Sequence, residues 1–203
     1  MTLNLQVVKG VKWTSISTAG RTLIQLIQLS LVAHYLSAEA LGLFALVQIC
    51  LSFSQLFMDM GIGNAIIHNQ KNSHRHLSEL FTINVMIGLL VTVCVYFIAP
   101  LLALFFDEPR LAKYIELVAI VFVIFSLSRV HLALLQKKLA FSTIAKVELL
   151  SAITGFVVVA ACIVNGLNIE ALLYGYIVAA SVQSLLFCYF SDFSPSLCYP
   201  KSW

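Results

Sequence analysis

Charge is what this sequence has least of. Asp, Glu, Lys and Arg together make up 10% of the 203 residues, against about a quarter in an average soluble domain. That scarcity excludes an ordinary water-facing surface. It also excludes a nucleic-acid-binding patch, because the 12 Lys and Arg are scattered between apolar runs and the net charge is only +3. No Cys-x-x-Cys pair occurs, and Cys50, Cys94, Cys162 and Cys188 sit inside apolar runs, so they are expected as buried small apolar residues rather than disulfide partners. Cys198 in the tail carries no reading. No nucleophile–base constellation, Gly-rich phosphate loop or soluble catalytic domain is visible. Asp107-Glu108 is too little for paired-carboxylate chemistry. No enzyme and no cofactor are therefore expected. A cleaved signal peptide is not expected either, since the first apolar run carries Arg21, Gln25 and Gln28 and ends at Ala33-His34-Tyr35 without a small-x-small site.

What is present is hydrocarbon. Apolar residues are 61% of the chain and the mean hydropathy is +0.97, which places the chain among membrane proteins. A span needs about 20 residues at 1.5 Å rise. Candidate spans are 11–33, 41–67, 80–105, 114–135, 143–164 and 170–190. Each is too long for a typical buried soluble helix, and the alternation of barrel strands is missing. The predicted fold is an all-α integral membrane lobe of six transmembrane helices over 1–190, with an irregular cytoplasmic tail at 191–203.

The connectors agree with these boundaries. His34 to Ala40 is short, Asn69 to Ser78 is polar, and Asp107 to Arg110 contains Pro109, a poor helix continuer. Gln136-Lys137-Lys138 follows the fourth span, and Asn165-Gly166-Leu167-Asn168 reads as a tight turn. Lys9, Lys12, Lys71, Arg75, Lys137, Lys138, Lys146 and Lys201 fall on one side, and only Arg110 and Lys113 on the other. By the positive-inside rule both termini are expected in the cytoplasm.

Polar residues inside the spans are few but ordered. Thr14, Thr18, Arg21, Gln25 and Gln28 follow spacings of three and four, as do Gln48, Ser52, Gln55 and Asp59 in the next span. At about 100° per residue each set forms one stripe on one face. A lipid-facing charge or amide would have no partner, so the stripes are expected to line a wet interior. Arg21 lies about 15 Å along its helix from Val11, near mid-bilayer, and Asp59 about 10 Å from the cytoplasmic end of its own. Two readings stand side by side. Arg21 and Asp59 form a structural ion pair joining the first two helices, or Arg21 meets an anionic substrate group while Asp59 tunes it. The candidate substrate pathway is Arg21, Gln25, Gln28, Gln48, Gln55 and Asp59.

The remaining charges are expected to be ordinary. Arg129 is placed to snorkel at a cytoplasmic helix end. Glu148 is expected to accept from Lys146 or from the Lys137–Lys138 pair at the surface. His68, His74 and His76 lack a completing ligand and read as a solvated loop, so no metal is expected.

The segments LVAHYLSAEALGLFALVQ and FMDMGIGNAIIHNQ resemble the Wzx-type oligosaccharide flippases of the polysaccharide-transport branch of the MOP exporter superfamily. ALLQKKLAFSTIAKVELLSAITG and NGLNIEALLYGYIVAA resemble the same family further on. The resemblance is spread over nearly the whole chain rather than built on one signature. It implies flipping of undecaprenyl-diphosphate-linked oligosaccharide units across the bacterial inner membrane by alternating access, with Arg21 fitting the family's cationic cavity position. It implies a lipid-linked oligosaccharide and membrane lipid as partners, with a second transporter half or a polysaccharide polymerase as protein partner. Family members have about twelve helices in two lobes, and this sequence stops at Trp203 after one. A truncated product is the expectation, ahead of a fragment or a dimerising half-transporter. The alternatives are a MATE-type exporter using Asp59 as its proton or sodium site, and a non-transporting scaffold of polysaccharide assembly.

Overall fold

The computed structural model describes residues 2–59, 74–191 and 193, with side chains described for 10–56, 77–191 and 193. Among them are six helices: α1 (Thr2–Tyr35), α2 (Ala38–Asp59), α3 (His74–Phe105), α4 (Pro109–Lys137), α5 (Phe141–Val164) and α6 (Ile169–Phe190). All six are long and apolar enough to cross a bilayer. The helix is the element that satisfies every backbone N–H and C=O within its own segment, which the hydrocarbon demands. The chain is a multi-pass membrane protein. Its outward side chains say the same: Phe97, Leu101, Leu104 and Phe105 of α3 and Val164 of α5 are exposed, a placement that lipid solvates and water does not.

Local chemistry sets the ends. The Ser37 hydroxyl accepts from the Ala40 N–H at 3.3 Å and starts α2 only two residues after α1 stops. Pro109 opens α4, where its missing N–H costs nothing, behind an extended Glu108. The turn between α5 and α6 passes through Gly166 at φ +82°, a left-handed conformation that glycine adopts without a Cβ penalty. That is the tight turn expected at 165–168.

Packing centres on α4. Leu111, Ile115, Val118, Val121 and Phe122 are fully buried, against Val95 and Ala99 of α3, Val47 of α2 and Leu172 and Leu173 of α6. The α3–α4 contact carries polar ties: the Asn84 amide donates to the Ser126 carbonyl at 2.6 Å and the Thr92 hydroxyl to the Ala119 carbonyl at 3.2 Å. At the α5–α6 contact a Cβ on Gly155 would lie 2.8 Å from the Ala179 Cβ, and one on Gly175 would collide with Val159. These two backbones approach because side chains are absent there.

One expected neighbour relation is corrected. The short link between α1 and α2 suggests that they pack together. Instead α1 lies along α5, while α2 leans on α4, α3 and α6. Ser17 on the buried side of α1 donates to the Ala145 carbonyl at 3.3 Å, and the Trp13 ring receives Lys146 Nζ at 5.7 Å from its centroid. These contacts commit α1 to α5. The cysteines are corrected too: Cys94 is exposed and Cys50, Cys162 and Cys188 are half-buried, since lipid accommodates a thiol as readily as a protein core does. Cys198 lies outside the described residues, as does the tail from 194 onward.

Candidate functional site

Because α1 and α2 rest on different partners, space is left between them. A cavity of about 400 Å³ is lined by Arg21, Ile24, Gln25 and Gln28 of α1 and by Phe44 and Gln48 of α2. Its far wall is Glu148, Ser151, Ala152, Gly155, Phe156 and Val159 of α5, with Phe125 of α4 behind. Leu172, Gly175, Tyr176, Ala179, Ala180 and Gln183 of α6 complete it. The glycines that bring α5 against α6 also keep this wall shallow.

Four of the six residues expected on a polar pathway, Arg21, Gln25, Gln28 and Gln48, line this one cavity. Gln55 is not among the lining residues, but its amide Nε2 donates to the hydroxyl of Tyr176, which is, at 3.0 Å, tying α2 to α6. The side chain of Asp59 lies outside the described residues. Thr14 and Thr18 belong to the same sequence stripe but do not line the cavity. Thr14 donates to the Gly10 carbonyl at 3.0 Å, and the Thr18 carbonyl accepts from Thr22 at 2.9 Å, both within α1. Ser52 is exposed.

The main correction concerns the partner of Glu148, while the Arg21–Asp59 pair falls on a side chain outside the described residues. Arg21 Nη1 lies 3.1 Å from Glu148 Oε2, so its ion pair joins α1 to α5. The Ser17 hydroxyl, with one proton to share between the Ala145 carbonyl and Glu148, lies 3.3 Å from the same Oε2. Glu148 is therefore a cavity residue and not the surface partner of Lys146 or Lys137–Lys138 that its position suggested. Arg129 is half-buried, with Nε shielded from solvent.

Glu148, Ser151 and Gly155 are spaced three and four apart, and Tyr176 and Gln183 seven apart, so each set shares a helix face. That signal was available in the sequence. Each set is too short to stand out without knowing which helix faces it. Among the described residues no group of three His, Cys, Asp or Glu could hold a metal ion. The side chains of His68, His74 and His76 lie outside the described residues.

Chemically, the cavity offers one guanidinium, one carboxylate, four amides and a phenol, set among apolar side chains within the membrane-spanning helices. It suits a polar ligand that bears an anionic group, because Arg presents several N–H donors in a fixed fork while the amides both donate and accept.

Comparisons with known proteins place the chain in a family. The profile of the family described as "Polysaccharide biosynthesis protein" matches residues 31–202. This chain belongs to that family. It is 33% identical over 151 residues to the teichuronic acid biosynthesis protein TuaB of Bacillus subtilis, covering 74% of this chain and 31% of the relative. It is 30% identical over 194 residues to the lipopolysaccharide biosynthesis protein WzxC of Escherichia coli, covering 94% of this chain and 39% of the relative. An uncharacterized membrane protein in the cps region of Klebsiella pneumoniae is 25% identical over 186 residues, with 92% and 38% covered. The chain thus spans about a third to two fifths of the length of the curated relatives it matches. No solved structure matches it. The Wzx-type resemblance noted in the sequence holds, and the six-helix architecture is consistent with one lobe of a MOP-type transporter.

Proposed function

We propose that this six-helix lobe forms part of the pathway by which a lipid-linked oligosaccharide, carried on undecaprenyl diphosphate, is flipped across the bacterial inner membrane. Both termini face the cytoplasm, following the distribution of Lys and Arg. The lobe works by alternating access against a second lobe, because a cavity open to either side in turn needs two bodies that rock about it.

The observation that carries this reading is the cavity itself: Arg21 among Gln25, Gln28 and Gln48, within helices built to span a bilayer. A charge at the centre of a membrane costs about 2.5–3.5 kcal/mol even on the mild insertion scale. Its retention beside amides that exceed packing needs supports a ligand-binding role. A diphosphate is the group to which guanidinium makes strong charge-assisted bonds. The amides match sugar hydroxyls in both directions.

The test is Arg21→Ala in the complete transporter, in a bacterium whose surface polysaccharide depends on it. Export falls while membrane insertion stays unchanged. Unchanged export would reduce Arg21 to a structural ion pair and end the flippase reading of this cavity.

A further inference from the structure

Arg21 is not idle in this structure, because Glu148 already occupies it. The contact is one-sided: Nη1 meets Oε2 at 3.1 Å, and the Ser17 hydroxyl lies 3.3 Å from that same oxygen. Both side chains keep access to the cavity, with 42% of Arg21 and 26% of Glu148 exposed. Neither is locked in a dry core, where separating a pair would be prohibitive. An anion that reaches Arg21 must therefore either displace Glu148 or sit beside its negative charge.

We infer that Glu148 is a built-in competitor for the anionic group of the substrate, lowering affinity at Arg21 so that the ligand leaves again. This rests on the proposed function and deepens it. The physics is that of a fractionally available site: apparent affinity falls by the fraction of time the guanidinium is free. Repulsion between Glu148 and a bound phosphate acts in the same direction. Ser17 adds to the competitor to the extent that its one proton, shared with the Ala145 carbonyl, goes to the carboxylate in its pairing position. A transporter gains from this arrangement, because binding that is too tight slows release.

A purely structural ion pair and a competitor predict opposite signs. If Glu148 only supports the fold around Arg21, removing its charge weakens anion binding. If it competes, removing its charge strengthens binding. The experiment measures binding of farnesyl diphosphate, and of inorganic pyrophosphate, to the full 203-residue chain in detergent. Glu148→Gln keeps the size and the Ser17 hydrogen bond, and it tightens both ligands by about tenfold, within the usual range of coupling between two sites, with slower dissociation. Ser17→Ala tightens them by less. Arg21→Ala abolishes binding of both. Weaker or unchanged binding in Glu148→Gln, while Arg21→Ala still loses it, overturns the competitor and leaves the cavity reading standing. Wild-type-like binding in Arg21→Ala, or no binding by any variant, overturns both.

Discussion

Arg21 on α1 and Glu148 on α5 meet at 3.1 Å across a cavity wall, and this pair helps to hold the two helices together. It adds to the Ser17–Ala145 hydrogen bond and the Lys146–Trp13 contact. A double-mutant cycle measures it. Each of Arg21→Ala and Glu148→Ala strands one charge and lowers the thermal midpoint in detergent by roughly 2–4 °C, the shift expected for about 1 kcal/mol in a protein of this size. The double variant recovers part of that loss, because neither charge is left alone. Strictly additive losses would show that the two side chains do not interact.

The α5–α6 seam gives a second prediction. A methyl group on Gly175 collides with Val159 and approaches the Gly155 carbonyl at 3.0 Å. Gly175→Ala is expected to cost about 1–3 kcal/mol, the usual penalty of overpacking. Adding Val159→Ala restores much of it by making room. Thermal unfolding followed by size-exclusion chromatography reads both, and a harmless Gly175→Ala would mean that the helices sit further apart.

Water in the cavity is testable by thiol chemistry. In a cysteine-free background, Gln28→Cys and Gln48→Cys react with a membrane-impermeant maleimide in detergent-free vesicles or spheroplasts opened to the cavity side. Leu101→Cys, on the lipid-facing side of α3, does not, because the reacting thiolate forms only where water reaches it. Equal labelling of all three positions would remove the distinction between wet and lipid-facing surfaces.

A fourth prediction concerns the turn. Gly166 holds φ +82°, so Gly166→Ala costs about 1–2 kcal/mol through its Cβ, and Gly166→Asn costs less because Asn tolerates the left-handed region. Equal stability of Ala and Asn variants, measured by the same unfolding assay, would show that the turn relaxes.

How much of this was legible beforehand follows from the periodicity of particular residues. Arg21, Gln25 and Gln28 repeat at helical spacing in an otherwise apolar run, and the contrast made them visible. Gln48 stood out for the same reason. Glu148 did not, because Lys146 lay two residues away and offered an easier partner. Tyr176 and Gln183 are single polar residues a full two turns apart, too sparse to form a stripe alone. The pairing of α1 with α5 was illegible for a different reason. Loop length limits how far apart two helix ends lie, but it does not say which faces pack. That choice came from Ser17 and Trp13, whose partners are 128 and 133 residues on.

The two-residue link at Leu36-Ser37 has a mechanical consequence. It ties together two rods anchored on separate supports, in the manner of the pivot of a pair of tongs. α2 has 22 residues, so at 1.5 Å rise it is about 33 Å long. Tilting it by about 10° at the pivot carries its far end sideways by about 6 Å, comparable to the width of a sugar ring, without breaking a contact between α1 and α5.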